Sequence, residues 1–282
     1  MIVKAFAKIN LAINVVGKKE DGYHDLDMIM LPVDLHDSIH IEVLPSNFET
    51  YITCDDFSLE VNEYNLCSIT LKKMKEKYNI DKSFRIHIHK NIPIGAGLGG
   101  GSSNAAAVIT AIKTLLKLNI PHEEEIELAK SIGADVPFFL NNTPSRVQGI
   151  GEKLTPIKIK NKYYVLLIKP EKGLSTKEVY AKYDELGSDN HADVEKLINA
   201  LENGEDEKIK DYMGNDLEKA SITMLPVIGE IKNLLINDGF ENVLMSGSGS
   251  SVFAISTNRV MMEKEYKKLE KLGLNVFLTK VL

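Results

Sequence analysis

Five glycines stand within seven residues, Gly95-Ala96-Gly97-Leu98-Gly99-Gly100-Gly101, and Ser102 and Ser103 follow them. Such a run lets the backbone adopt positive φ and approach a ligand with no Cβ in the way. If a helix starts there, its unpaired N–H groups and the positive end of its dipole face the same spot. That cradle suits the phosphates of a nucleotide, and the serine hydroxyls are available to a phosphate or to a metal-bound water. Gly95, Gly97 and Gly100 also satisfy G-x-G-x-x-G, but that pattern is weak outside its context. A dinucleotide fold needs a second strand after the helix and an acidic residue about twenty positions on; here the next predicted element is another helix. A Walker A loop is excluded, because Gly101 precedes Ser-Ser and not Lys-Ser or Lys-Thr. A second run, Ser246-Gly247-Ser248-Gly249-Ser250, reads as a tight turn between two short strands.

Other side chains invite chemistry. Lys8 and Asn10 are two residues apart on an alternating segment, so they share a face, the one turned away from the core. Asp135, between Gly133 and Val136-Pro137, has two readings: a catalytic carboxylate, or the N-cap of a short helix opened by proline. Tyr23 and His24 follow a loop signal at Glu20-Asp21-Gly22. Thr176 and Tyr180 fall on a helix whose start, Ser175-Thr176-Lys177-Glu178, fits a capping box. His87 and His89 share a strand face, yet no third ligand stands at a zinc spacing. Glu123-Glu124-Glu125 opens a helix and serves its dipole.

Stepping outward, period two over 3–14 predicts a strand, with Val3, Ala5, Ala7, Ile9, Leu11 and Ile13 facing the core. Further strands are predicted at 27–35, 38–43, 50–54, 84–89 and 163–168, and helices at 66–78, 103–118 and 122–132, the last stopped by Gly133. Beyond Pro170, helices are predicted at 176–186, 192–202 and 221–237, strands at 243–245 and 252–256, then a charged helix and a final strand at 275–281. Helices mixed with non-adjacent strands imply an α+β protein of two lobes. The polar stretch around residue 160 is the expected boundary, giving domains 1–160 and 161–282.

The chain has 282 residues, 34 Lys and Arg against 40 Asp and Glu, and a net charge of −6. That balance disfavours nucleic-acid binding, so a phosphorylated ligand must be held by local devices. Cys54 and Cys67 form no metal or disulfide pattern, which points to a reducing compartment. No basic stretch leads into an apolar core near Met1, and apolar runs are strand-sized. The expectation is a cytoplasmic protein that binds neither membrane nor nucleic acid.

Several of these motifs together resemble the GHMP kinases, the superfamily of galactokinase, homoserine kinase, mevalonate kinase and phosphomevalonate kinase. The glycine run, with Pro93 ahead of it, resembles their phosphate loop. Ala7-Lys8-Ile9-Asn10-Leu11, Asp21-Gly22-Tyr23-His24, Gly133-Ala134-Asp135-Val136-Pro137, Gly149-Ile150-Gly151-Glu152 and Ser246-Gly247-Ser248-Gly249 extend the resemblance over nearly the whole chain. The A-K-I-N-L and D-G-Y-H pair is similar to one branch, whose acceptor is a cytidine-diphosphate-linked methylated sugar alcohol of the non-mevalonate isoprenoid route. The resemblance implies a two-lobed fold, an N-terminal lobe like domain 2 of ribosomal protein S5 and a ferredoxin-like C-terminal lobe, with the site in the cleft between them. It implies transfer of the γ-phosphate of ATP to a hindered tertiary 2-hydroxyl, with Mg²⁺ accompanying the ATP; another acceptor, such as homoserine, is the alternative. The residues implied for ATP are Pro93, Ile94, Gly95, Ala96, Gly97, Leu98, Gly99, Gly100, Gly101, Ser102 and Ser103, with Asn65 and Lys90 at the adenine. Asp135 is implied as general base and Lys8 as its partner. Asn10 and Thr176 would bind the acceptor, while Tyr23, His24 and Tyr180 would enclose the cytosine. Many relatives carry Phe at position 180, so the hydroxyl of Tyr180 is a departure.

Overall fold

A computed structural model describes residues 1–20 and 22–282; Asp21, and with it the middle of the predicted turn, lies outside the described residues. The chain packs as two compact units: Met1–Ala7, Leu35–Ile94 and Gly99–Asn142 form one, and Lys8–Asp34, Gly95–Leu98 and Thr143–Leu282 the other. Two long strands, β1 (Ile2–Lys18) and β2 (His24–Leu44), contribute to both.

In the first unit, the second half of β2 pairs antiparallel with β4 (Ser83–His89), after β3 (Tyr51–Cys54) and α1 (Leu66–Lys77) in sequence. β3 runs parallel to β4 on its other edge. Three helices follow: α2 (Gly100–Leu115), α3 (His122–Ile132) and α4 (Val136–Asn141). α2 packs on both α1 and α4. Its buried run of Ala105, Ala106, Ala107 and Ala111 keeps the helix slim enough for that double contact.

The second unit holds β5 (Ser145–Gly149), β6 (Lys153–Pro156), β7 (Tyr164–Ile168), α5 (Thr176–Leu186), α6 (Val194–Asn203), α7 (Ile209–Tyr212), β8 (Gly214–Asn215), α8 (Glu218–Met224), α9 (Val227–Asn237), β9 (Val243–Met245), β10 (Val252–Ser256), α10 (Arg259–Lys271) and β11 (Val276–Lys280). β1 pairs parallel with β8, the first half of β2 antiparallel with β5, and β5 with β6. A separate antiparallel sheet has the order β11-β7-β10-β9, with α9 and α10 packed against it. Strand β7, helix α9, strands β9 and β10, helix α10 and strand β11 follow one another along the chain in the β-α-β-β-α-β order of the ferredoxin-like arrangement. The central strand β7 is buried along Val165, Leu166, Leu167 and Ile168, so it reads as an uninterrupted apolar run.

Four expectations shift. The predicted strands 27–35 and 38–43 are one strand, because Asp37 continues the ladder with its charge fully satisfied inside the unit. α2 begins at Gly100 and not at 103. Gly100 is closely packed: a Cβ there would lie 3.1 Å from Ile92 Cγ2 and 3.2 Å from Lys90 Nζ. The predicted helix 221–237 divides at Leu225-Pro226, since proline cannot donate into a continuing helix. Ser175 does stand at the N-cap of α5, but its side chain makes no cap bond, so the capping box is a matter of position only. The hairpin β5–β6, unread in the sequence, explains Gly149-Ile150-Gly151-Glu152. Gly149 has φ +74°, and the Glu152 carboxylate accepts from Ile150 N at 2.7 Å.

Candidate active site

The glycine run leaves β4 and opens α2. Gly95, Gly97 and Gly99 have φ of +63°, +73° and +71°, conformations that other residues resist. Gly99 is the N-cap of α2 in the left-handed region and supplies no side-chain cap, so the first-turn N–H groups meet no side-chain acceptor from it. No acidic residue occupies that turn. The result is the bare, positive helix start that an anion requires. Ser102 lies in this first turn and Ser103 is buried under it.

Within the second unit, Gly97 meets the second glycine loop. A Cβ at Gly97 would come within 2.1 Å of the Ser246 carbonyl oxygen, and one at Gly247 within 2.7 Å of the Gly97 carbonyl oxygen. The Gly97 carbonyl accepts from Ser246 Oγ at 3.1 Å and from Lys8 Nζ at 3.0 Å. Asn215, wholly buried, holds the same loop by donating to Met245 and Gly247 carbonyls. Thr176 Oγ1 and Ser248 Oγ lie 2.8 Å apart, which ties the start of α5 to it. Gly173 also approaches Gly95: a Cβ on Gly173 would sit 2.9 Å from the Gly95 carbonyl oxygen.

Lys8 and Asn10 do share a face, but not a solvent-facing one. They are 5% and 1% exposed, and Lys8 Nζ donates to Asn10 Oδ1 at 2.6 Å. From Ala7 to Asn14 both faces of β1 are covered, so the alternation read from the sequence describes only residues 2–7. Asp135 precedes α4 at φ −84°, ψ −11°, and its carboxylate makes no cap bond. The helix therefore does not consume it. α4 packs on α2, and a Cβ at Gly133, two residues before Asp135, would lie 3.9 Å from Ser102 Oγ. The Asp135 segment thus sits against the first turn of α2. Lys8 and Asp135 belong to different units.

The structure brings His24 and Tyr180 together, ring on ring. Their rings stack at 4.7 Å with an interplanar angle of 21°. His24 is 9% exposed, while Tyr23 is 58% exposed. Two residues of α5 that the sequence reading missed complete the group. Tyr183 meets the His24 ring edge-on at 6.1 Å, and Asp184 Oδ1 lies 2.7 Å from His24 Nε2. Positions 180, 183 and 184 are i, i+3 and i+4 on one helical face, so the spacing from Tyr180 could have found them. Lys18 bonds the other Asp184 oxygen, and these contacts, Lys18 foremost, hold the Asp184 carboxyl below its ordinary range.

The adenine candidates have their side chains committed elsewhere. Asn65 caps α1, accepting from Cys67 N at 2.9 Å. Lys90 Nζ bonds Asp37 Oδ2 at 2.7 Å and the Ile92 carbonyl. Asp37, also missed by the sequence reading, is 0% exposed and collects four donors: Asn91 N, Ile92 N, Lys90 Nζ and Asn104 Nδ2. It ties β2 to the approach of the glycine run and to α2. Nothing in its sequence setting, among Asp34, His36, Ser38 and His40, marked it out.

The pairs that looked like metal ligands have ordinary partners. His87 Nδ1 lies 2.9 Å from Thr53 Oγ1, His89 contacts Asp55, and Glu125 binds Lys113 at 2.6 Å. Among the described residues, no group of three His, Cys, Asp or Glu side chains is placed to hold a metal.

Against this geometry the comparisons are decisive. Residues 65–142 match the GHMP kinases N terminal domain and residues 197–273 the GHMP kinases C terminal domain. The 4-diphosphocytidyl-2-C-methyl-D-erythritol kinase of Clostridium acetobutylicum is 38% identical over 280 residues, 99% of each chain. The enzyme of the same name from Clostridium botulinum is 36% identical over the full length of both. The chain belongs to the 4-diphosphocytidyl-2-C-methyl-D-erythritol kinase family. A crystal structure titled as that kinase superposes with a TM-score of 0.81 at 28% identity, covering 100% of this chain and 99% of that one. A homoserine kinase from Cytophaga hutchinsonii gives 0.70 at 18% identity, covering 100% and 94%, which is likeness of fold. Kinases of this family use ATP, and the α+β GHMP fold is that of the chain.

Proposed function

We propose that the protein transfers the γ-phosphate of ATP to the 2-hydroxyl of 4-diphosphocytidyl-2-C-methyl-D-erythritol. The supporting observation is the bare glycine-built start of α2 with the uncommitted Asp135 carboxylate in the segment packed against it. Phosphoryl transfer leaves little covalent work to a protein; positioning and charge stabilisation dominate. In this reading residues 93–103 hold the phosphates through backbone N–H groups, with Ser102 adding a hydroxyl. Asp135 accepts the proton of the tertiary hydroxyl as it attacks. Lys8, anchored by Asn10, offsets charge on the transferring oxygens. Its bond to the Gly97 carbonyl couples that ammonium to the phosphate loop. Asn10 and Thr176 orient the acceptor, and Asn65 and Lys90 frame the adenine through backbone and shape, since their side chains are engaged.

Mg²⁺ fits this donor set. It keeps several waters and leans on substrate phosphates, so it needs no carboxylate cage. Ser102 is the hydroxyl that would hold it, and the ion would neutralise charge on the phosphate oxygens. We assign residues 1–160 to ATP and 161–282 to the second domain. Among the described residues no helix is long and apolar enough to cross a membrane. The cysteines are free, and burial pushes the Cys67 thiol up to about 12. Inert thiols and an ATP requirement fit a reducing cytoplasm and small-molecule partners, with no nucleic acid.

The test is product analysis after incubation with ATP, Mg²⁺ and the cytidyl substrate. ADP should form together with a product heavier by one phosphoryl group on the tertiary oxygen. Turnover of homoserine with the cytidyl substrate untouched would overturn the assignment.

A further inference from the structure

The hydrogen bonds around His24 set more than its position. The imidazole is covered on one face by Tyr180 and touched at its edge by Tyr183, so its orientation is held by α5. Asp184 Oδ1 lies 2.7 Å from Nε2, and a carboxylate can only accept. Nε2 therefore carries a proton. Lys18 binds Oδ2 of the same carboxylate, so a cation already stands beside it. Nδ1 finds no partner among the described residues.

We infer that Asp184, held by Lys18, locks His24 in the Nε2–H tautomer and so makes Nδ1 a hydrogen-bond acceptor that selects cytosine over uracil. Cytosine presents an exocyclic amine where uracil presents a carbonyl. An acceptor at Nδ1 pairs with the amine and meets the uracil oxygen lone pair to lone pair. Asp184 is a positioning residue here, acting through His24. The inference rests on the cytidine-pocket reading above and names what gives that pocket its base preference.

The Lys18 contact makes the idea testable. An ammonium has donors only. In Asp184→Asn the single amide oxygen is claimed by Lys18, and the amide NH₂ is turned toward Nε2. Nε2 must then accept, and the proton moves to Nδ1. Asp184 and Lys18 lie at the surface, with side chains 31% and 54% exposed, so the substitution is tolerable to the fold.

Two measurements follow on the full chain. In nitrogen-15 NMR of the ligand-free protein, the His24 ring should show Nε2–H in the wild type and Nδ1–H in Asp184→Asn. In calorimetry, the wild type should bind CDP at least about tenfold tighter than UDP, as expected when one analogue leaves a buried polar group unpaired. Asp184→Asn should bring the two within about threefold or reverse them. Adding Lys18→Met frees the amide to rotate and should restore the cytidine preference. A wild type indifferent to the base would sink the pocket reading and the inference together. A wild type that prefers CDP beside an Asp184→Asn variant with the same preference, or with the Nε2–H tautomer retained, would sink the inference alone.

Discussion

At the scale of single residues, the site rests on side chains left available by their neighbours. Asp135 stands where a helix cap belongs, yet its carboxylate makes no cap bond. Asp135→Asn should therefore fold with an unchanged melting temperature and bind both substrates. Turnover should fall on the order of a hundredfold to ten-thousandfold, the usual cost of losing a general base. Steady-state kinetics with calorimetry on the purified variant checks it; near-normal kcat would remove Asp135 from proton transfer. Tyr180 offers a contrasting case, a side chain proposed to bind the cytidyl substrate and to take no part in the chemistry. Losing an aromatic that stacks on a base costs roughly 1–3 kcal/mol in nucleic-acid systems. Tyr180→Ala should raise KM for the cytidyl substrate about fivefold to a hundredfold by that arithmetic, with KM for ATP little changed. Tyr180→Phe should be mild. Equal weakening toward both substrates would mark Tyr180 as a packing residue. In the structure that ring already stacks on His24, so some loss from Tyr180→Ala will come from a loosened imidazole.

At the scale of elements, the two glycine loops constrain each other. The sequence suggests that Gly97 is glycine to admit phosphates; the geometry adds a stricter reason, the Ser246 carbonyl where a Cβ would stand. Gly97→Val should weaken ATP binding and also lower the melting temperature, because it forces positive φ on a β-branched residue and drives the loops apart. Thermal unfolding alongside ATP titration separates these effects, and an intact melting temperature would mean the close approach is not required. Asp37 is the second element-scale device. Removing it strands the Lys90 ammonium and two backbone N–H groups in the interior of the first unit. Breaking a buried pair on one side costs about 3–5 kcal/mol. Asp37→Ala should lose stability of that order in denaturant unfolding, and a loss below about 1 kcal/mol would show that water replaces the carboxylate readily.

At the scale of the whole molecule, a metal that arrives with ATP should matter for turnover and not for folding. Chelation should abolish phosphoryl transfer and leave the melting temperature of the ligand-free protein where it was. A chelator-induced drop would reveal a structural ion. Much of this architecture was legible along the chain. The period-two opening, the helix ended by Gly133, the slim alanine helix and the strands on either side of residues 246–250 are local patterns, set by backbone geometry and by which residues tolerate it. The glycine run was readable as a phosphate cradle from its composition and place before a helix; Asp135, His24 and Tyr180 were singled out only through the family resemblance of the motifs that hold them. What neighbours do to a side chain is not written locally. Lys8 was expected to face away from the core and is buried beside the Gly97 carbonyl; Asp37 fell between two predicted strands and is a fully bonded anchor; Asp184 was not singled out and sits on His24 Nε2. Each depends on contacts between residues tens to hundreds of positions apart, where burial and partner decide whether a charge is a liability or a tie. Composition and local pattern thus determined the elements and the candidate chemistry, while the tertiary structure alone decided which polar groups are spent on holding the loops and which are left to act.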